Sequence, residues 1–405
     1  MNFVARELGL QVKTGSLRRW AGVTGFSAAG VVITIESQRH RLGWLKQRFV
    51  CVCAHGKVPA NVSLSSEGVA SALKKILTGD DLQIGDPLFD GANYLEGDAL
   101  DILATFSYSA RVHIKAVMAH NGRVEDGKVF ALEPTGLFRL HLPGRQHARA
   151  LIFLARRIER SAKEMSWQGQ EIHQRLVDNI LSERISKVKA SVYRHLVRVA
   201  PTHPNLRQAS MSLLTDGDPS VRILGAKHLG TDGIDTLKGI AMAPTYGAEF
   251  RILALEQLSE VAAGEPILLD ALTQSLASGQ PAVVHCALKL AESAAICLPM
   301  SDLLPLFELE HEQVLEALPS HLLRSGGVES EGKLISLLEN SNDDIATAAA
   351  RALKFCGSRA AVVALRRRAD GLFQASDLKD AAEQAIAAIQ SRIGVHEVGG
   401  LSLAR

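Results

Sequence analysis

The stretch DGDPSVRILGAKHLG, from Asp216 to Gly230, decides the fold of this 405-residue chain. Asp218 followed by Pro219 is typical of a helix start, because a carboxylate caps the first turn and proline is tolerated at the first helical position. From Val221 onward, apolar or small residues recur at every fourth position and so share one helical face. The stretch therefore predicts a turn followed by an amphipathic helix.

The same pattern returns five times, at intervals of 29 to 33 residues. Each copy has apolar or small residues at its first, fifth and ninth positions, and a shorter apolar helix precedes it. A degenerate earlier copy begins at Val188. Repeats of this length with two helices each predict an α-solenoid, in which every unit buries its apolar face against its neighbours. The predicted second helices open with Val221, Phe250, Val283, Val314, Ile345 and Leu378.

The segments LLTDGDPSVRILGAKHLG and NSNDDIATAAARALKFCG resemble HEAT repeats of the short bacterial kind, also called the phycobilisome-lyase type. The resemblance covers roughly residues 170–393 and implies a fold rather than an activity. HEAT repeats form a ladder between units from an Asp in the turn and an Arg six residues later. The resemblance implies such a ladder through Asp216, Arg222 and Arg251. The chain end is also similar to uncharacterised bacterial proteins that join an α+β domain to HEAT repeats.

Residues 1–165 carry a different pattern. Apolar residues alternate through Val31, Ile33 and Ile35, and again around Cys51 and Cys53, which is typical of strands. The dipeptide Asp126-Gly127 is typical of a tight hairpin. Helices are predicted from Ser65 or Ser66 to Leu77, after Asp98, and from His147 to about Ser166.

These patterns predict three regions. Residues 1–165 form an α+β domain with an antiparallel sheet and packed helices. Residues 166–393 form an all-α, HEAT-like solenoid of about six to seven helix pairs. Residues 394–405 form a flexible tail.

The net charge of +2 is too near balance to indicate a nucleic-acid or anionic-membrane partner. It conceals an asymmetry, since residues 1–166 hold 22 Lys and Arg against 15 Asp and Glu, whereas residues 167–405 hold 23 against 28. The five cysteines include no CxxC pair, which favours buried thiols in a reducing compartment. No signal peptide or membrane span is predicted, so we expect a cytoplasmic protein.

Two features of the front domain are compatible with a catalytic or binding role as well as with a structural one. Acids are concentrated between residues 86 and 101, where paired carboxylates could hold a hard cation or transfer protons. Their spacing fits no calcium loop, and turn and cap roles are favoured, so we predict no catalytic, cofactor or metal site. The helix after His147 is basic on one face, which suits a membrane surface or an acidic partner but more simply a closing helix. The acids are Asp86, Asp90, Glu96, Asp98 and Asp101, and the basic residues are Arg149, Arg156, Arg157, Arg160 and Lys163.

The architecture favours a non-catalytic scaffold that binds a protein partner along its second helices. A nucleic-acid cradle like that of one class of DNA glycosylases is the alternative, but the acidic charge and the lack of tryptophan after residue 170 disfavour it. A lyase or another enzyme would rest on analogy alone. The predicted partner contacts are Arg222, Lys227, Arg251, Lys289, Arg351, Arg366, Arg367 and Arg368.

Overall fold

A computed structural model describes residues 2–13, 22–27, 30–42, 45–66, 82–134, 145–167, 171–264, 266–326, 328–370 and 376–396. These residues form an α+β region followed by an all-α region, as the sequence predicts. Contacts between residues divide the chain into two compact units, Met1–Val221 and Arg222–Arg405. The boundary predicted at residue 165 therefore lies inside the first unit.

The described strands of the first unit form one antiparallel sheet in the order β1-β2-β3-β4-β8-β7-β5-β6. The alternating segments predicted as strands lie in its central hairpin, β3 and β4, whose register pairs Val32 with His55 and Leu42 with Leu45. The strands are β1 Gln11–Lys13, β2 Gly22–Phe26, β3 Val32–Leu42, β4 Leu45–His55, β5 Ser63–Ser66, β6 Asn93–Glu96, β7 Arg123–Glu125 and β8 Lys128–Pro134.

Alternation in the central strands places apolar side chains in the core. Ile33 and Ile35 of β3 and Val52 of β4 are completely buried. Burial raises the pKa of the Cys51 thiol to about 12 and that of Cys53 to about 11. Cys51 is buried and Cys53 is half-buried, so both are packed as small apolar residues.

The predicted hairpin at Asp126-Gly127 joins β7 to β8. Both residues have positive φ, 50° for Asp126 and 73° for Gly127, as a two-residue hairpin loop requires. The predicted helix start at Ser65 or Ser66 is wrong, because these two serines are the last residues of strand β5. The remainder of that predicted helix, residues 67–77, lies outside the described residues.

Two helices, not one, follow Asp98. The Asp98 carboxylate accepts hydrogen bonds from the amides of Leu100 and Asp101 and caps the first helix, as predicted. The chain breaks at Phe106, and Ser107 caps the second helix by accepting from the Ala110 amide. The helices of the first unit are α1 Asn2–Leu8, α2 Pro87–Asp90, α3 Ala99–Thr105, α4 Tyr108–Met118, α5 Arg145–Met165, α6 Ile172–Ser182, α7 Ser186–Val199 and α8 Leu206–Leu213.

A buried ionic cluster holds the start of the helical region to the sheet-containing part. Arg111 of α4 is 3% exposed; it donates to Asp86 at 2.9 Å and to both carboxylate oxygens of Glu183 at 2.9 and 3.0 Å. Asn179 of α6 donates to the carbonyl oxygen of Leu103 at 2.8 Å. These contacts explain why the boundary between compact units lies beyond α6 and α7 rather than at residue 165.

The later helices alternate between the predicted first and second members of each pair. Every predicted second-helix opening lies in an α-helix, and so do the predicted first helices except the fourth, in which a short α-helix ends at Leu303 and a 3-10 helix, Leu304–Leu309, follows. The last helix extends to His396, so the predicted tail at 394–405 begins helical, and residues 397–405 lie outside the described part. The helices are α9 Pro219–Leu229, α10 Ile234–Met242, α11 Ala248–Val261, α12 Pro266–Leu276, α13 Pro281–Ser293, α14 Met300–Leu303, α15 Glu312–Ser325, α16 Val328–Leu338, α17 Asp343–Cys356, α18 Arg359–Ala369 and α19 Ser376–His396.

Packing in the second unit follows the repeat. Each second helix from α11 to α19 contacts the second helix of the next pair, and α10 contacts α12 as α16 contacts α18. The small fifth-position residues Ala254, Ala287 and Ala349 are completely buried at these contacts, where a larger side chain would hold neighbouring helices apart. Asn342 caps α17 by accepting hydrogen bonds from the amides of Asp344 and Ile345.

Candidate functional site

The residues predicted to form a ladder lie at contacts between successive helix pairs. Asp216, in the turn before α9, accepts from Ser186 Oγ at 2.6 Å and from Lys189 Nζ at 3.0 Å. Burial opposes ionisation, but these contacts and the Asp218 amide lower the pKa of Asp216. Lys189 follows Val188 as Arg222 follows Val221, so Lys189 occupies the ladder position of the degenerate first copy.

The cations at this position in the next two repeats are Arg222 and Arg251. Each also contacts the following repeat, but the atoms that accept their hydrogen bonds are not carboxylate oxygens. Arg222 donates to the Tyr246 hydroxyl at 2.8 Å, and its guanidinium lies 5.1 Å from the centre of that ring. Arg251 is 1% exposed and donates to the Ala241 carbonyl at 2.9 Å and to Gln280 Oε1 at 3.2 Å. Arg251 is therefore a packing residue rather than a surface contact for a partner.

Several predicted partner contacts are engaged by neighbouring side chains. Lys227 forms an exposed ion pair with Glu260 at 3.4 Å. Of the basic run at the end of α18, Arg367 pairs with Glu339, and Arg368 donates to Asp343 Oδ1 and the Asn340 carbonyl, both at 2.9 Å. Arg366 is exposed at the same helix end. The structure does not gather these cations into one surface.

Lys289 and Arg351, in contrast, line one concave groove of about 500 Å³. Both side chains are exposed, and they hold the seventh position of the repeat pattern in α13 and α17, six residues after its first residue. The middle wall is α15, which lies between those helices in the order of packing. The lining consists of His285, Lys289, Glu292, Gln313, Glu316, Ala317, Pro319, Ser320, Leu323, Ala348, Arg351, Ala352 and Phe355. We call this surface the α13–α15–α17 groove.

The groove combines opposite charges with apolar surface. Glu292 and Glu316 balance Lys289 and Arg351, so it carries no strong field of either sign. Phe355 is 65% exposed at one end, a large apolar side chain left open to water. Pro319 lies within α15 and has no amide hydrogen to continue the helical ladder. A groove of this composition suits a polypeptide, which offers both charged and apolar side chains.

A buried histidine lies in α15, behind the groove. His321 is 1% exposed, and burial lowers the pKa of its ring, opposed by the carboxylate of Glu292. On the groove side, His285 Nδ1 lies 3.0 Å from the Gln313 carbonyl oxygen and connects α13 to the start of α15. The His285 contact therefore links two of the groove walls.

The acids of the front domain have structural partners. Asp86 caps α2 through the Phe89 amide and pairs with Arg111, whereas Asp90 accepts from the amides of Ile84 and Gly85 at 3.2 and 2.9 Å. Burial raises the pKa of Asp90. Asp101 accepts from Asn61 at 2.6 Å. These contacts assign the carboxylates to caps and turns, the roles that the sequence favours.

The rest of the described chain adds two further findings. No group of three or more His, Cys, Asp or Glu side chains among the described residues is arranged to hold a metal ion. None of the described helices combines the length and the apolar character needed to cross a bilayer. Comparison with models of known families and with curated proteins finds no match for this chain.

The groove residues could have been found in the sequence from their position in the repeat, which charge alone does not reveal. The second helices line it with residues at the third, seventh and tenth positions of the repeat, which point away from the packing face. His285, Lys289 and Glu292 hold these positions in α13, as Glu316, Ser320 and Leu323 do in α15. Reading those positions across copies would have identified the surface.

Proposed function

We propose that this chain is a non-catalytic scaffold that binds a segment of a partner protein in the α13–α15–α17 groove. The observation that carries the proposal is the mixed lining of that groove, built from three consecutive second helices. Tightly bound protein segments need an apolar anchor site and a polar rim, which Phe355 with Leu323 and the surrounding charges supply.

We further propose that the helical region is an α-solenoid of HEAT type. Two observations support this architecture in the second unit: the repeat interval of 29 to 33 residues, and the contact of each second helix with the next one. Stacking of this kind leaves one row of helix faces free of internal contacts. The groove occupies such a row.

A protein partner is favoured over nucleic acid at this groove. Binding to phosphates requires an excess of cations along the path of the backbone. Glu292 and Glu316 stand in the same lining as Lys289 and Arg351 and would repel a phosphate. We place the scaffold in the cytoplasm, where the five free thiols remain reduced.

The test is a peptide-display selection on the whole protein, followed by measurement of dissociation constants. Lys289→Glu with Arg351→Glu reverses both groove cations, and Lys227→Glu with Arg366→Glu reverses two exposed cations that do not line the groove. We expect selected peptides to bind the groove variant at least about tenfold more weakly, which corresponds to about 1.4 kcal/mol. The control variant should bind as the unmodified protein does.

Two results would reject the proposal. Equal affinity of the selected peptides for both variants would place their site elsewhere. Purification of the unmodified protein with bound nucleic acid, released by salt and lost in the groove variant, would favour the cradle alternative.

A further inference from the structure

Helix α5 presents a continuous basic stripe that the proposed scaffold role does not use. Arg149, Phe153, Arg156, Arg160 and Lys163 follow one another at alternating intervals of four and three residues, so they share one helical face. All five side chains are exposed. The stripe covers 15 residues, and the distance from the first to the last is about 21 Å along the helix.

The opposite face of α5 is buried in the core of the first unit. Its apolar residues Leu151, Leu154, Ala155 and Ile158 are at most 2% exposed. The helix packs through them against α1, α4, β4 and β8. The basic stripe is therefore held in one orientation by a rigid support.

Among the described residues, the four cations of the stripe have no ion-pair partner. None of them forms an ion pair with a residue in the part of the chain that the structure describes. The acids of the same helix, Glu159 and Glu164, are partly buried and flank the stripe, four residues before Lys163 and four residues after Arg160. Four exposed cations against two partly buried acids leave a net positive potential along the stripe, although the whole chain is near neutral.

An aromatic ring interrupts the line of cations. Phe153 is 55% exposed, and the guanidinium of Arg157 lies 4.3 Å from its ring centre. An exposed ring beside a track of arginines is the combination that binds the bases and phosphates of a single strand. Arginine, which supplies three of the four cations, forms paired hydrogen bonds to phosphate that lysine does not.

We propose that the α5 stripe, Arg149 to Lys163, binds single-stranded nucleic acid. The cations contact successive phosphates and Phe153 stacks on a base. An anionic membrane fits less well, because a helix that lies on a bilayer inserts its apolar face, and the core already buries that face here. A duplex fits less well because a groove-binding helix must expose more than one narrow stripe. This site belongs to the first unit and is independent of the α13–α15–α17 groove.

The experiment measures fluorescence anisotropy of a labelled 16-nucleotide single strand with the full-length protein at several salt concentrations. Four phosphate contacts predict a slope of about −3 for the logarithm of affinity against the logarithm of salt concentration. Arg156→Gln with Arg160→Gln should reduce the slope by about 1.4. Phe153→Leu should weaken binding at least about fivefold and leave the slope unchanged.

The matched control is Arg194→Gln with Arg198→Gln, which removes two exposed arginines at the same spacing from α7. This control should bind like the unmodified protein, and all variants should keep its melting temperature. Heparin, a duplex of the same sequence and phosphatidylserine vesicles are the competitors. Absence of binding at low salt, or equal binding by the stripe and control variants, would overturn the proposal. Preference for vesicles or for duplex, or heparin binding that matches the single strand without dependence on Phe153, would overturn it as well.

Discussion

Arg111 and Glu183 are 72 residues apart in the sequence and form a two-pronged ion pair, at 2.9 and 3.0 Å, in the interior of the first unit. Their side chains are 3% and 2% exposed. The pair joins α4 of the front domain to the residue that follows α6. Removal of the cation alone would leave both Glu183 and Asp86 buried without their partner.

We therefore expect Arg111→Met to lower the free energy of unfolding by about 3–5 kcal/mol, the usual cost of breaking a buried pair on one side. Urea unfolding followed by circular dichroism measures the change. Lys227→Met, which removes an exposed ion pair with Glu260, is the control and should cost less than about 1 kcal/mol. An Arg111→Met protein as stable as this control would show that the buried cluster does not hold the two elements together.

Two glycines six residues apart should respond in opposite ways to alanine. A Cβ at Gly233 would lie 2.1 Å from the carbonyl oxygen of Ala226, whereas a Cβ at Gly239, within α10, meets nothing within 4 Å. Gly233→Ala must displace backbone and should destabilise the second unit by more than about 2 kcal/mol. Gly239→Ala should stabilise it by up to about 1 kcal/mol, because alanine favours the helix. Thermal unfolding of the two variants would contradict the structure if their melting temperatures shifted in the same direction.

The buried His321 predicts a loss of stability in mild acid. Burial lowers the pKa of this ring in the folded protein, opposed by the Glu292 carboxylate and reinforced by the charge of Arg324. An unfolded histidine titrates near pH 6.5, so below about pH 6.5 the unfolded state binds more protons and the folded state is disfavoured. Above that pH both states are neutral at this position, and the effect disappears.

We expect the unfolding free energy to fall between about pH 6.5 and 5, by up to about 1.4 kcal/mol per pH unit from this site. His321→Leu should reduce that slope, and His228→Leu, at an exposed position of α9, should leave it unchanged. Denaturant titrations at several pH values measure both slopes. The prediction fails if the slope of the His321→Leu protein equals that of the unmodified one.

The cysteines should differ strongly in their reactivity toward a thiol reagent. Burial raises the pKa values of Cys51, Cys53 and Cys286 to about 12, 11 and 11, while Cys297 is exposed. Because the thiolate is the reactive form, iodoacetamide at pH 8 should modify Cys297 first and these three thiols after unfolding. Cys356 is also exposed, but burial of its sulfur raises its pKa, so it should react more slowly than Cys297. Peptide mass spectrometry follows each site, and Cys297→Ser should abolish the fast phase. Rapid modification of Cys51 in the folded protein would contradict the packing of β4.

The helices were predictable wherever a local period defines them. Val283, Ala287 and Ala291 recur every four residues and are all buried in α13. The cap of α17 was less predictable, because Asn342 and Asp343 are adjacent residues with equally suitable side chains. A single sequence cannot rank two such neighbours.

Two features depend on contacts between residues that are far apart in the sequence. These are the end of the first compact unit and the choice of cations that line the groove. Nothing near Glu183 in the sequence indicates that Arg111 pairs with it, so the end of the first compact unit could not be predicted from the sequence. Charge alone also did not separate Lys289, which faces the groove, from Arg251, which is buried at a contact between repeats. Position within the repeat separates them, since Arg251 holds the second position and Lys289 the seventh.

The contacts made by Lys189, Arg222 and Arg251 have a consequence for how the repeats can evolve. Each cation meets a different acceptor in the next unit: the carboxylate of Asp216, the hydroxyl of Tyr246 and the amide oxygen of Gln280. Duplication or deletion of one helix pair would place a cation opposite an acceptor selected for another. Neighbouring repeats in this chain are thus not interchangeable, because each contact between repeats uses a different pair of cation and acceptor.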